Sequence, residues 1–154
     1  MWNWISRKRV IFVKIVLDDI FVDELKDYLI DQPGINDVEV ITKNLISEIN
    51  VNSKIDPLVV LQYIELFQKN NNSTMLSFDK GNIFESNHLK YLVDDMCCEY
   101  CYKSLIKELF KNEYIKSVES NFDFYKPAFN IELLIEYDKN YSRKELINYI
   151  LENK

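Results

Sequence analysis

Val16-Leu17-Asp18-Asp19-Ile20 returns 76 residues later (94 less 18) as Leu92-Val93-Asp94-Asp95-Met96. A second pair, Leu61-Gln62-Tyr63-Ile64 and Ile147-Asn148-Tyr149-Ile150, stands at an offset of 86 (149 less 63). The chain therefore reads as one small domain occurring twice. About ten extra residues fall inside the second copy, and the spacing predicts them in the loop around Tyr125-Lys126-Pro127. Two copies of so short a unit suit a duplicated domain rather than a solenoid.

Hydrophobic patterning around these anchors assigns the elements. Val10 to Leu17 is a β-branched, apolar run of strand length, and Phe21 to Ile30 sets Leu25, Tyr28 and Leu29 at helical spacing until Pro33-Gly34 ends the helix. Ile35, Val38, Val40 and then Ile46, Ile49, Val51 read as two strands joined near Lys43-Asn44. Asp56-Pro57 opens a second helix through Phe67, with an N-cap followed by proline at the first helical position, and Thr74 to Phe78 gives a last short strand. The order is strand, helix, strand, strand, helix, strand. It predicts an α+β fold of ferredoxin-like (βαββαβ) type, two helices over a four-stranded antiparallel sheet.

The second copy repeats the order: strand Leu89 to Val93, helix Cys101 to Lys111, a hairpin of Ile115 to Phe124 and Phe129 to Tyr137, and helix Ser142 to Leu151 opened by a Ser142/Glu145 capping box. No obvious last strand follows. The edge this leaves invites Trp2 to Ile5, a partner chain or self-association. The polar stretch Asp79 to Asn87 reads as the linker, so the domains are placed at 1–82 and 83–154.

The 154 residues are 47% hydrophobic, enough for a packed core, and carry a net charge of −6. With Arg7-Lys8-Arg9 as the only basic run, nucleic acid is not the expected partner. No apolar run approaches the roughly 20 residues of a membrane span, and the N-terminus is too polar for a signal peptide, so the expected location is cytoplasmic without membrane insertion. All three cysteines fall within Met96-Cys97-Cys98-Glu99-Tyr100-Cys101, at the predicted strand-to-helix junction. A Cys-x-x-Cys pair at a helix start stands where backbone N–H groups and the helix dipole favour thiolate, and thiolates bind soft metals. An odd, clustered set also fits a reducing compartment better than a disulfide framework.

Met96, Cys98 and Cys101, with the element order, resemble the heavy-metal-associated domains of copper chaperones and of the N-terminal tails of metal-transporting P-type ATPases, which carry Met-x-Cys-x-x-Cys between first strand and first helix. Pro33-Gly34-Ile35-Asn36-Asp37-Val38-Glu39-Val40 and Tyr114-Ile115-Lys116-Ser117-Val118-Glu119 look like that family's approach to its second strand. The resemblance implies a metal held by Cys98 and Cys101, with Met96 as an inward tether, and handover to a metal-transporting ATPase or other metal-handling protein. The family's usual glycine before the methionine is Asp95 here, and Cys97 replaces a small or polar residue. Two thiolates suit copper(I). A third from Cys97, with an oxygen from Asp95 or Glu99, suits zinc or cadmium.

The first copy has Ile20, Val22 and Leu25 where the second has Met96, Cys98 and Cys101, so it is expected to bind no metal there. Asp18 and Asp19, like Asp94 and Asp95, are explained by helix N-terminal capping and dipole. His88, the only histidine, lies some eight residues before Met96 and too far to ligate; Tyr100 and Tyr102 read mostly as core. Two other classes stay open: thiol-disulfide exchange, and an interaction module using the duplicated fold. With two glycines and one histidine, neither a phosphate loop nor a hydrolytic triad can be assembled, and no enzyme is expected.

Overall fold

The computed structural model describes residues 11–17, 22–43, 46–67, 75–81, 83–94, 99–122 and 130–153. Among them helices and strands interleave in an α+β arrangement. The chain divides into two compact units, Met1–Thr74 and Met75–Lys154. No helix among the described residues is long and apolar enough to cross a membrane.

The first unit runs β1 (Ile11–Leu17), α1 (Val22–Ile30), β2 (Ile35–Lys43), β3 (Ile46–Ser53) and α2 (Pro57–Phe67). Its strands lie in the order β2-β3-β1, antiparallel, with Val13 opposite Val51 and Ile15 opposite Ile49. Alternation decides which face is dry. Val13, Ile15, Ile49 and Val51 are fully buried with Leu25 and Leu29 of α1, whereas Lys14 and Glu48 pair on the wet face at 3.2 Å. Gly34 turns the chain from α1 into β2 at φ +86°, and a Cβ there would stand 2.4 Å from the Ile55 Cγ2. Both facts demand glycine. At α2 the expected cap is made: the Leu58 N–H donates to Asp56 Oδ1 at 2.8 Å, with Pro57 in the first helical position.

The second unit contains β4 (Met75–Asp79), β5 (Ser86–Val93), α3 (Glu99–Lys111), β6 (Ile115–Ser120), β7 (Ile131–Asp138) and α4 (Arg143–Asn153). Its strand order is β4-β6-β7-β5. β4 pairs antiparallel with β6, Phe78 opposite Val118. α3 packs on β4, β6 and α4, burying Leu105, Ile106, Leu109 and Phe110, with Phe110 edge-on to Phe78 at 4.8 Å. The Glu145 N–H donates to Ser142 Oγ at 3.4 Å, one half of the expected capping box.

Three local expectations are revised. β5 begins at Ser86 instead of Leu89, because Ser86, Asn87 and His88 pair with Asp138, Tyr137 and Glu136, and Ser86 and His88 meet Glu136 on the wet face of the strand. Lys80, read as part of a polar linker, is 5% exposed and its Nζ donates to the Asn112 carbonyl at 3.0 Å. The extra residues of the second copy do not sit in one loop. The offset is 76 at the first strand's end (93 less 17), 81 at the helix end (111 less 30) and 85 at the end of the third strand (138 less 53), so half of them enter between β5 and the end of α3. Tyr125-Lys126-Pro127 and Trp2 to Ile5 lie outside the described residues.

Candidate metal centre

β5 closes on Val93, 1% exposed, and α3 opens at Glu99, so the sequence Met96-Cys97-Cys98-Glu99-Tyr100-Cys101 runs from the connection into the first helical turn. Cys101 is the third residue of α3 and is half-buried. Asp95, Met96, Cys97 and Cys98 lie outside the described residues. Among the described residues no three His, Cys, Asp or Glu side chains converge as a metal shell would. Cys101 stands in the first turn of α3, among the N–H groups that have no acceptor within the helix.

The turn carrying Cys101 is held by its neighbour. Tyr102 is 1% exposed; its hydroxyl donates to the Leu76 carbonyl on β4 at 2.6 Å and hydrogen-bonds the Ser120 hydroxyl at the end of β6 at 2.5 Å. Its ring stacks on Phe122, centroids 4.3 Å apart and planes 5° from parallel. Burial raises the Tyr102 phenol to about 12, the hydrogen bond with Ser120 opposing the rise, so it is a neutral donor at any physiological pH. At the helix's other end the Lys80 ammonium caps the Asn112 carbonyl and lies 4.8 Å from the centre of the Phe110 ring. A cation there complements the negative end of the dipole.

His88 lies within β5, its Nε2 3.5 Å from Glu136 Oε1 on the wet face. It is five residues down the strand from Val93, roughly 16 Å at 3.3 Å per residue, away from the helix start. Glu136 is also met by Lys116 at 3.2 Å and by the Ser86 hydroxyl at 3.2 Å. Partial burial works against its charge, but the Lys116 bond and charge, then Ser86 and His88, outweigh it and hold the carboxyl below its usual range. In the first unit the positions that correspond to Cys98 and Cys101 are Val22, 7% exposed, and Leu25, fully buried. Both are apolar and buried, and Ile20 lies outside the described residues.

The role of Tyr102 was not visible in the sequence. Its partners are 26 and 18 residues away, and only the aromatic character beside Cys101 hinted at a buried place.

No known family model matches the chain, and no curated protein matches it. Among solved structures it is similar to the solution structure of the N-terminal soluble domains of Bacillus subtilis CopA, at 15% identity over 94% of this chain and 89% of that one, with a TM-score of 0.37. A likeness at that level carries no argument about function.

Proposed function

We propose that the chain is a divergent tandem heavy-metal-associated protein that binds one soft metal ion through Cys98 and Cys101, with Cys97 as a third thiolate, and passes it to a partner. The observation that carries this reading is the placement of Met-x-Cys-x-x-Cys across the β5–α3 connection, with Cys101 in the first turn of α3. Two further facts support it. Tyr102 anchors that turn to β4 and β6, so the cysteine stands on a rigid element. The equivalent turn of the first unit is apolar, which leaves the second as the sole bearer of soft ligands in the repeat.

On this reading the chain comprises two ferredoxin-like copies, 1–82 and 83–154, the second without a last strand of its own, although the compact units divide at Thr74/Met75 and β4 pairs with β6. The metal is cargo, copper(I) or zinc/cadmium, and no substrate bond is broken. A thiolate of the partner, a metal-transporting ATPase or other metal-handling protein in the cytoplasm, displaces one protein thiolate at a time through a shared-ligand intermediate. Thiol-disulfide exchange is disfavoured because β5, the strand that feeds the cysteine helix, pairs antiparallel with β7 and not in a parallel βαβ unit.

Metal content of anaerobically reduced protein tests the proposal. One equivalent of copper(I), zinc or cadmium per chain, abolished by Cys98→Ser or Cys101→Ser, is expected; indifference to all three ions refutes it. Loss of zinc and cadmium but not copper(I) in Cys97→Ser assigns Cys97 to the tetrahedral shell.

A further inference from the structure

The sheet of the second unit ends at β5, whose outer edge pairs with no strand among the described residues. Eight residues long and free of proline, that edge presents a row of main-chain donors and acceptors of the kind that recruits another strand. Natural edges are commonly defended by charged or polar side chains, and β5 carries Lys90 and His88. Both are turned back onto their own sheet: His88 Nε2 lies 3.5 Å from Glu136 and Lys90 Nζ 3.7 Å from Glu132, each on β7, the neighbour on the side away from the edge. Both side chains stay exposed, and between them and the strand's end Leu92 is an exposed large apolar residue, at 57%.

We infer that β5 pairs antiparallel with β5 of a second copy of this chain, about a two-fold axis through Tyr91. Both members of each contact come from one short stretch. Centred on Tyr91, the pairing sets His88 opposite Asp94 of the second copy, Leu89 opposite Val93, and Lys90 opposite Leu92, each contact occurring twice by symmetry. Leu89 and Val93 already face the core side, at 2% and 1% exposed, with Tyr91 half-buried between them, so the apolar face continues across the axis. On the other face Leu92 rests on the aliphatic stem of Lys90, and His88 meets the exposed carboxylate of Asp94. Moving the axis to Lys90 sets two ammonium groups directly opposite, and moving it to Leu92 shortens the pairing among described residues. Moving it to Leu89 sets His88 opposite Lys90 and turns Leu92 onto Ser86, so Tyr91 is the centre that keeps apolar residues facing one another and gives His88 a carboxylate. This self-association is independent of the metal reading, since none of its contacts uses a cysteine.

Sedimentation of the full chain, with reductant and chelator present to exclude disulfide and metal bridges, is the test. A reversible dimer with a Kd of about 1–100 µM is expected, in keeping with a small strand-to-strand interface. Leu92→Lys, which faces Lys90 twice, should raise that Kd about tenfold. Its melting temperature should hold, because Leu92 is exposed and a lysine there lies opposite Glu132 of its own sheet. Asp94→Lys, which faces His88, should weaken the dimer independently. A wild-type chain that stays monomeric at millimolar concentration overturns the inference, as does a dimer that neither variant weakens, since its interface then lies elsewhere.

Discussion

Replacing Tyr102 by Phe removes one oxygen and leaves the ring, and with it the stack on Phe122. The bond to the Leu76 carbonyl at 2.6 Å and the bond with the Ser120 hydroxyl at 2.5 Å are lost together. Each is worth about 0.5–1.5 kcal/mol net, and a buried acceptor left unpaired costs more, so a loss of about 2 kcal/mol at pH 7 is expected. The same phenol supplies a second readout. It gives up its proton near pH 12 in the folded chain, against 10.0 when unperturbed, so the folded state holds more protons between those values. Its contribution is therefore complete below pH 10 and is lost as the pH climbs through 12, by about 1.4 kcal/mol per unit and about 2–3 kcal/mol across the window. Urea denaturation of wild type and Tyr102→Phe at pH 7, 9, 10.5 and 11.5 measures both effects; the gap between the two proteins should be constant to pH 9 and narrow beyond 10. A gap under about 0.5 kcal/mol at neutral pH, or one that does not change with alkali, refutes the assignment of Tyr102 as the buried tie between α3, β4 and β6.

Gly34→Ala should cost about 1–3 kcal/mol in thermal or urea melts, because the position combines φ +86° with a new Cβ that would run into the Ile55 Cγ2 methyl. Pairing it with Ile55→Ala, which removes the Cγ2 methyl that the new Cβ would meet, separates the steric part, which the smaller neighbour should relieve, from the backbone part, which it should not. Glu136→Gln should flatten the acid limb of stability. The folded carboxyl titrates below its usual range, so its contribution is present above the unfolded pKa and lost as pH falls through the lower folded value. Wild type should therefore lose more stability than the variant between about pH 5 and 3, and parallel acid limbs would show that the Lys116 and Ser86 contacts contribute nothing.

Much of the fold was legible because its signals are local. Pro33-Gly34 ended α1 and Asp56-Pro57 opened α2 where the structure has them, since caps and turns are decided within a few residues. The apolar stretch read as a strand from Phe129 to Tyr137 is β7, Ile131–Asp138, among the described residues. Ser86-Asn87-His88 carried no such mark. Those residues are strand because Asp138, Tyr137 and Glu136 lie across from them, fifty residues on.

The amino-acid order by itself determined the α+β class and the gathering of three cysteines between a strand and a helix, which follow from periodicity, caps and spacing along the chain. Only the tertiary structure decided that Lys80 is buried beneath Phe110 at the end of α3, that Tyr102 pins the turn bearing Cys101, that Leu25 is fully buried at the position where the other half has Cys101, and that β5 is an edge strand among the described residues, with Lys90 paired to Glu132 of its own sheet. These depend on contacts between residues far apart in the chain. A lysine or tyrosine has no inside or outside until the strands around it have paired.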